Sequence, residues 1–145
     1  MEKPKAKPIA GLLLTALAVL LIIGVVTFAG PCTQGGQGGQ GEMTCLWASR
    51  AVIGVGAVTA VLAIVRIFET DEGERRGLSL SCSLLGFLMA ALPGPIISLC
   101  AEPSMHCNSV MRPFVFVVGI AIGVIGAVDL VRRLLAIRKR PAAGD

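Results

Sequence analysis

The sequence is short of charged residues. Of its 145 residues 15% are charged and 54% are hydrophobic, with one histidine, one tryptophan and no tyrosine. Soluble domains of average composition are about 25% charged, so this chain carries too little charge to cover a water-exposed surface. The shortage excludes a water-soluble globule, a disordered tail and a nucleic-acid-binding domain, despite the formal net charge of +4.

Side chains and motifs that carry out chemistry are scarce as well. The sequence has no Walker motif, no His-Glu-x-x-His, no Ser-His-Asp arrangement and no glycine-rich phosphate loop. The apolar blocks are almost free of ionisable residues, which transporters usually place within their spans. We therefore predict no catalytic residue and no cofactor, and the sequence favours a non-enzymatic protein.

The apolar residues fall into four long blocks. About 20 such residues cross a membrane as a helix, so we predict an all-α membrane protein with four transmembrane helices, at 9–29, 47–68, 77–99 and 113–135. The segments outside them are a basic N-terminus, a Gly/Gln-rich outer loop, a charged cytoplasmic loop, a second outer loop and a cytoplasmic tail, at 1–8, 30–46, 69–76, 100–112 and 136–145. A cleaved signal peptide is the alternative for the first block, but the block is longer than the apolar region of a signal peptide, so we interpret it as a membrane span.

Three local features modify these spans. Pro93-Gly94-Pro95 predicts a kink or an early helix end in the third span, because proline removes amide donors. Arg50 and Arg66 flank the second span, where long basic side chains extend to the membrane interfaces. Asp129, at the inner end of the fourth span, is expected to pair with Arg132 or Arg133.

The basic residues are sorted between the two sides of the membrane. Of the 13 lysines and arginines, all but Arg50 and Arg112 fall on the side of the chain termini. In membrane proteins, cytoplasmic loops carry more lysine and arginine than the loops on the opposite side. The sequence thus predicts a multi-pass protein of the cell membrane with both termini in the cytoplasm.

A Met-x-Cys-x-x-x-x-Arg pattern occurs twice, each time directly before a span. The two copies comprise Met43, Cys45 and Arg50, then Met105, Cys107 and Arg112. We interpret the chain as two tandem hairpins, which form a parallel internal repeat about an axis along the membrane normal. Chance similarity between two membrane entry points is the alternative.

Four of the five cysteines lie on the predicted outer face, where an oxidising compartment would pair them. Four cysteines allow three connectivities, and the repeat favours the pairs Cys32–Cys45 and Cys100–Cys107. Each pair would join the two helix ends of one hairpin. Cys82, within the third span, is interpreted as a small packing residue.

Redox catalysis, metal binding and haem ligation are the alternatives to disulfides in this part of the chain. A redox enzyme of the vitamin K epoxide reductase type needs a close pair, usually Cys-x-x-Cys, which is not in the sequence. Soft ligands suited to Cu(I) occur at Met43, Cys45 and Met105-His106-Cys107. We predict no metal site, with His106 and Cys107 as weak candidates. Haem ligation by His106 lacks an attachment motif.

Small residues recur at helical spacing in three of the predicted spans. Helices in lipid approach one another closely at such positions. The positions are Gly56 and Ala60, Gly86 and Ala90, and Gly119 and Gly123. They predict either a tight four-helix bundle or contact with another integral membrane protein or a second copy of the chain.

The two motif segments resemble a known family. Met43 to Gly56 and Met105 to Pro113 are similar to the small bacterial and archaeal membrane proteins grouped as domain of unknown function 4418. The resemblance covers nearly the whole chain and implies a short four-span protein. It implies no catalytic activity, and it suggests association with transporter subunits.

Two functional hypotheses follow. The first is a non-enzymatic accessory or scaffold subunit of a larger membrane complex, with an export transporter as one such complex. The second is a membrane thiol–disulfide or soft-metal-handling protein that uses Cys45, Cys107 and His106. In both, the lipid bilayer is the first partner, and nucleic acid is not one.

Overall fold

A computed structural model describes residues 9–29, 40–97 and 107–138, with the backbone alone at 40–45 and 107. These residues form four α-helices: α1 is Ile9–Thr27, α2 is Gln40–Phe68, α3 is Glu72–Ala91 and α4 is Arg112–Arg138. A π-helical turn, Cys107–Met111, leads into α4. The described part of the chain has no β-strand, and the prediction of an all-α protein is confirmed.

Three of the helices are long and apolar enough to cross a membrane. The segments are Ile9–Thr27, Leu46–Phe68 and Asn108–Arg138. They match the first, second and fourth predicted spans and indicate a membrane protein. Helix α3 falls outside this group because its first turns carry Glu72, Glu74, Arg75 and Arg76, and serines interrupt its apolar part.

The charged connection between α2 and α3 is shorter than predicted. The sequence prediction assigned 69–76 to a loop on the basis of its charge alone, whereas α3 already begins at Glu72. Asp71 caps this helix, with Oδ1 accepting a hydrogen bond from the Gly73 N–H at 2.6 Å. An aspartate cap followed by acidic residues stabilises the positive end of a helix. Helix α2 likewise extends beyond its span and begins at Gln40.

Helix α3 ends at Ala91, so the helix is shorter than the predicted span 77–99. The Pro-Gly-Pro segment forms a turn in which Gly94 has a φ of 120°, a conformation that glycine adopts without strain. The Ile96 and Ile97 N–H groups donate to the Ala91 and Leu92 carbonyls at 3.2 and 3.0 Å. The turn thus ends the helix early and supplies hydrogen bonds to the Ala91 and Leu92 carbonyls.

The helices pack as two close pairs, α1 with α2 and α3 with α4. Their shared core includes the fully buried side chains of Leu14, Leu21, Met89 and Ile122. We call the end of the bundle where α2 ends and α3 begins the charged end. Near the opposite end, the rings of Phe28 and Phe114 join α1 to α4 edge to face, with centroids 5.1 Å apart.

Candidate functional site

At the charged end, three helices bring four charged side chains and a serine together. We call this group the ion-pair cluster, and its members are Arg66 of α2, Glu72 and Ser79 of α3, and Asp129 and Arg133 of α4. Arg66 stands in the last turn of its helix and Glu72 in the first turn of the next. Asp129 and Arg133 are one helical turn apart. Arg66 and Glu72 thus come from helix ends, whereas Asp129 and Arg133 lie within α4, which continues to Arg138.

One carboxylate oxygen is the centre of the cluster. Asp129 Oδ2 accepts hydrogen bonds from Arg66 Nη2 at 2.6 Å, from Arg133 Nε at 2.7 Å and from the Ser79 hydroxyl at 2.9 Å. The Ser79 oxygen also lies 2.8 Å from the Arg75 carbonyl, and its single proton serves one of the two acceptors at a time. A single atom of α4 thus binds α2 and α3.

The cluster continues outward through Arg133. Its Nη1 donates to Glu72 Oε2 at 2.9 Å, and Arg75 Nη1 lies 4.0 Å from the other oxygen of Glu72. Glu72 is 56% exposed, whereas Asp129 is 16% exposed. Two arginines and two carboxylates balance one another, so the ion-pair cluster carries no net charge.

Arg66 is the most buried charge of the cluster, with 3% of its side chain exposed. Its Nε and Nη1 atoms have no hydrogen-bond partner among the described residues. A methyl group at Gly11 of α1 would lie 3.7 Å from Arg66 Nη1 and 2.8 Å from a carbon of Ile67. Gly11 therefore lets α1 pack closely over Ile67 of α2, and the single ion pair with Asp129 compensates for burial of the Arg66 guanidinium.

The sequence predicted part of the ion-pair cluster. The prediction that Asp129 pairs with Arg132 or Arg133 is confirmed for Arg133. The prediction that Arg66 extends to the membrane interface is wrong, because the side chain turns inward to Asp129. An isolated charge in an apolar helix usually pairs inside the bundle, and that rule could have paired Arg66 with Asp129. Ser79 and Glu72 gave no comparable signal.

The small residues singled out in α3 and α4 lie against each other. A methyl group at Gly86 would overlap the Gly123 backbone nitrogen, and one at Gly119 would lie 2.8 Å from the Ala90 nitrogen. We call this contact the glycine seam, and it includes a hydrogen bond of 2.9 Å from the Ser83 hydroxyl to the Gly123 carbonyl. All of these close contacts are made within the chain.

Gly56 and Ala60 of α2 are also used within the bundle. A methyl group at Gly56 would lie 3.3 and 3.4 Å from carbons of Ile22 and Leu21 in α1. Ala60 is 9% exposed. Small residues thus permit the close approach of both helix pairs.

The two arginines of the repeated motif lie at the opposite end of the bundle. The Arg50 guanidinium lies 5.9 Å from the centre of the Trp47 ring, a cation–π contact. Arg112 lies beside Gly94, with its Nε 3.3 Å from where a methyl group would be. The remaining motif and cysteine side chains lie outside the described residues: Cys32, Met43, Cys45, Cys100, Met105, His106 and Cys107.

The predicted disulfides and the weak metal candidates therefore stay predictions. Among the described residues, Cys82 is a free, fully buried thiol on α3. Within the same residues, no group of three histidine, cysteine or acidic side chains could hold a metal ion.

The described residues form two grooves on the surface of the bundle. The α1–α4 groove, of about 450 Å³, lies toward the charged end, and its lining includes Ile9, Leu13, Val128, Asp129 and Arg132. The α3–α4 groove, of about 280 Å³, lies toward the opposite end, and its lining includes Phe87, Pro93, Arg112, Phe116 and Ile120. Each groove thus has apolar walls and at least one arginine.

The chain belongs to the family described as Domain of unknown function (DUF4418), which matches residues 14–132. The matched region extends from α1 into α4 and includes the glycine seam and every member of the ion-pair cluster except Arg133. The resemblance found in the sequence is thereby confirmed. No curated protein and no solved structure matches the chain.

Proposed function

We propose that this member of the DUF4418 family is a non-enzymatic accessory or scaffold subunit that binds another integral membrane protein in a larger complex, such as an export transporter. The observation that carries the proposal is the α3–α4 groove, an apolar concave surface with two partly exposed aromatic rings.

Helix α3 is the fourth transmembrane helix in this proposal. Its small and polar side chains, Ser79, Cys82 and Ser83 among them, are buried against the other helices. Its large apolar side chains point outward, with Leu80 46% and Leu84 61% exposed. In water this arrangement would be reversed, whereas lipid solvates exposed leucines and leaves serines to hydrogen-bond inside the bundle.

The charged end, and with it both termini, lies on the cytoplasmic side in this proposal. The support is the distribution of lysine and arginine, since Arg50 and Arg112 are the two that belong to the opposite end. With α3 in the membrane, the close pairs α1–α2 and α3–α4 are the two tandem hairpins of the internal repeat. The cell membrane is then the location of the protein.

The interior contacts make the bundle a rigid support. The ion-pair cluster joins α2, α3 and α4 through Asp129, and the glycine seam brings the α3 and α4 backbones together. Each membrane-depth charge of the cluster is engaged by another. The cluster therefore acts as a structural lock in this proposal, and partner binding takes place on the outer surface.

The α3–α4 groove has the features of a contact surface for a transmembrane helix. Phe87 and Phe116 line it and are 42% and 53% exposed, and aromatic side chains are enriched in protein–protein interfaces. Ala90 and Ala91 form part of its floor, and small residues let another helix approach closely. Arg112 supplies a polar contact at its mouth.

Site-specific photo-crosslinking in living cells tests this role. A photoreactive phenylalanine analogue replaces Phe116 at native expression, and the matched control replaces Leu20 of α1, since both side chains are 53% exposed. We expect a defined adduct with another membrane protein from position 116 and none from position 20. Adducts with lipid alone, equal adducts from both positions, or a dimer of the chain itself would each contradict the proposal.

The alternative function, thiol–disulfide exchange or soft-metal handling, depends on Cys45, Cys107 and His106. Their side chains lie outside the described residues, so this alternative is supported by the sequence pattern alone. Labelling of intact cells with a membrane-impermeant thiol reagent separates the two functions. Outer cysteines that stay unlabelled without reductant indicate structural disulfides, whereas a pair that is readily labelled and reoxidised indicates redox function.

A further inference from the structure

The α1–α4 groove results from a change in helix separation along the bundle. Near the opposite end, α1 and α4 are in contact through Phe28 and Phe114, and the Phe114 ring occupies the space above Gly24. Toward the charged end the two helices leave a groove of about 450 Å³ between them. This volume lies within the range of about 300–1,000 Å³ that is usual for small-molecule sites.

The walls of the groove are apolar along most of their length. Ile9 and Leu13 of α1 lie on one side, and Val124 and Val128 of α4 lie on the other. All four side chains are partly exposed. An acyl chain between the two helices would lie against apolar side chains on both of its sides.

Positive charge is available at the charged end of the groove. Asp129 lines it, but Arg66 and Arg133 bind that carboxylate at 2.6 and 2.7 Å. Arg132 also lines it, is exposed, and has no ion-pair partner within the described ranges. In the sequence, three lysines also precede the first residue of α1, at positions 3, 5 and 7.

We propose that the α1–α4 groove binds an anionic phospholipid, with one acyl chain between α1 and α4 and the phosphate at Arg132. Apolar walls next to an arginine that has no ion-pair partner among the described residues complement the two parts of such a lipid. Basic pockets between transmembrane helices bind anionic headgroups in this way. The site is independent of the proposed partner, since it lies on the other side of α4 from Phe87.

Native mass spectrometry of the purified full chain tests the site, with phosphatidylglycerol and phosphatidylcholine as competing probes. The wild type is expected to retain one phosphatidylglycerol in preference to phosphatidylcholine. Arg132→Gln is expected to reduce that preference about fivefold, the effect of one basic residue at an anionic surface. Arg138→Gln is the matched control, because Arg138 is an exposed arginine of α4 outside the groove.

A second variant tests the acyl-chain part of the site. Val128→Trp fills the groove and is expected to abolish retention of both lipids, while circular dichroism and gel filtration report whether the bundle is intact. Retention of lipid by a folded Val128→Trp variant overturns the proposal. Equal effects of Arg132→Gln and Arg138→Gln, or equal binding of the two lipids by the wild type, also overturn it. Full competition by glycerol phosphate alone would indicate a phosphate site instead of a lipid site.

Discussion

The ion-pair cluster and the glycine seam hold helices together in different ways. The cluster depends on one atom, because Asp129 Oδ2 accepts hydrogen bonds from Arg66, Arg133 and Ser79. The seam distributes its contacts over Gly86, Gly119 and Gly123, each of which faces atoms of the other helix. The ion-pair cluster is therefore sensitive to loss of a charge, and the glycine seam is sensitive to gain of volume.

The largest effect is expected from loss of the central charge. Asp129→Ala leaves the Arg66 guanidinium buried without its ion pair, and removal of one partner of a buried pair costs about 3–5 kcal/mol. Thermal unfolding in detergent measures the loss, and Arg138→Ala, at an exposed position of the same helix, is the control. A change as small as that of the control would show that the ion-pair cluster does not stabilise the bundle.

The double variant Arg66→Met/Asp129→Leu sharpens this result. Arg133 keeps its bond to Glu72, and apolar replacement of a whole buried pair is often neutral or stabilising. We expect the double variant to recover most of the stability that Asp129→Ala loses. A double variant as unstable as Asp129→Ala would mean that the destabilisation arises from something other than the unpaired arginine.

A smaller loss is expected when the glycine seam gains volume. Gly86→Ala places a methyl group against the Gly123 backbone, so α3 and α4 must separate. Overpacking of this kind costs about 1–3 kcal/mol. Gly77→Ala is the matched control on the same helix, since nothing lies within 4 Å of the added methyl group. Thermal unfolding of both variants measures the difference. Equal losses of stability in Gly86→Ala and Gly77→Ala would show that the close contact at the glycine seam is not what makes Gly86→Ala unstable.

Loss of a single polar contact in the seam is expected to have less effect still. Ser83→Ala removes the hydrogen bond of 2.9 Å to the Gly123 carbonyl while adding no volume. Hydrogen bonds between transmembrane helices average about 0.6 kcal/mol. Ser81→Ala is the comparison, because Ser81 is bonded within its own helix to the Gly77 carbonyl. Ser83→Ala should lower the unfolding temperature more than Ser81→Ala does.

The smallest effect concerns an acid outside the ion-pair cluster. The pKa of Glu74 is raised because the Glu69 side chain hydrogen-bonds to it and repels its charged form. A carboxyl group whose pKa is raised by folding contributes stability at low pH, and that contribution is lost as the pH rises through the folded-state pKa. Glu74→Gln should therefore raise the unfolding temperature slightly at neutral pH and not in acid. Glu72→Gln, which weakens the bond to Arg133, should lower it.

Local sequence patterns predicted the features that depend on residues near one another in the chain. Runs of apolar residues predicted three of the membrane helices, and the nearness of Arg132 and Arg133 to Asp129 in the sequence predicted an ion pair with one of them, which is Arg133. The start of α3 was missed because the charged residues were interpreted as a loop, although Asp71 followed by acidic residues is a helix-start signal.

The contacts between distant residues could not be predicted in the same way. Arg66 and Asp129 are 63 positions apart, and their meeting depends on how α2 and α4 are rotated about their axes. Hydropathy carries no information on that rotation. The same limit applies to the two grooves, which depend on helix separation and not on composition.

The arrangement of α3 also has a consequence for how the protein enters the membrane during synthesis. A helix that begins with four charged residues and carries serines in its apolar part is a weak signal for the insertion machinery, which reads each segment by its hydrophobicity. Helix α4 is strongly apolar and covers the serine side of α3 through Ser83 and Gly123. With α3 as the proposed fourth transmembrane helix, we therefore expect it to insert together with α4, and a nascent chain truncated before α4 to leave α3 outside the bilayer.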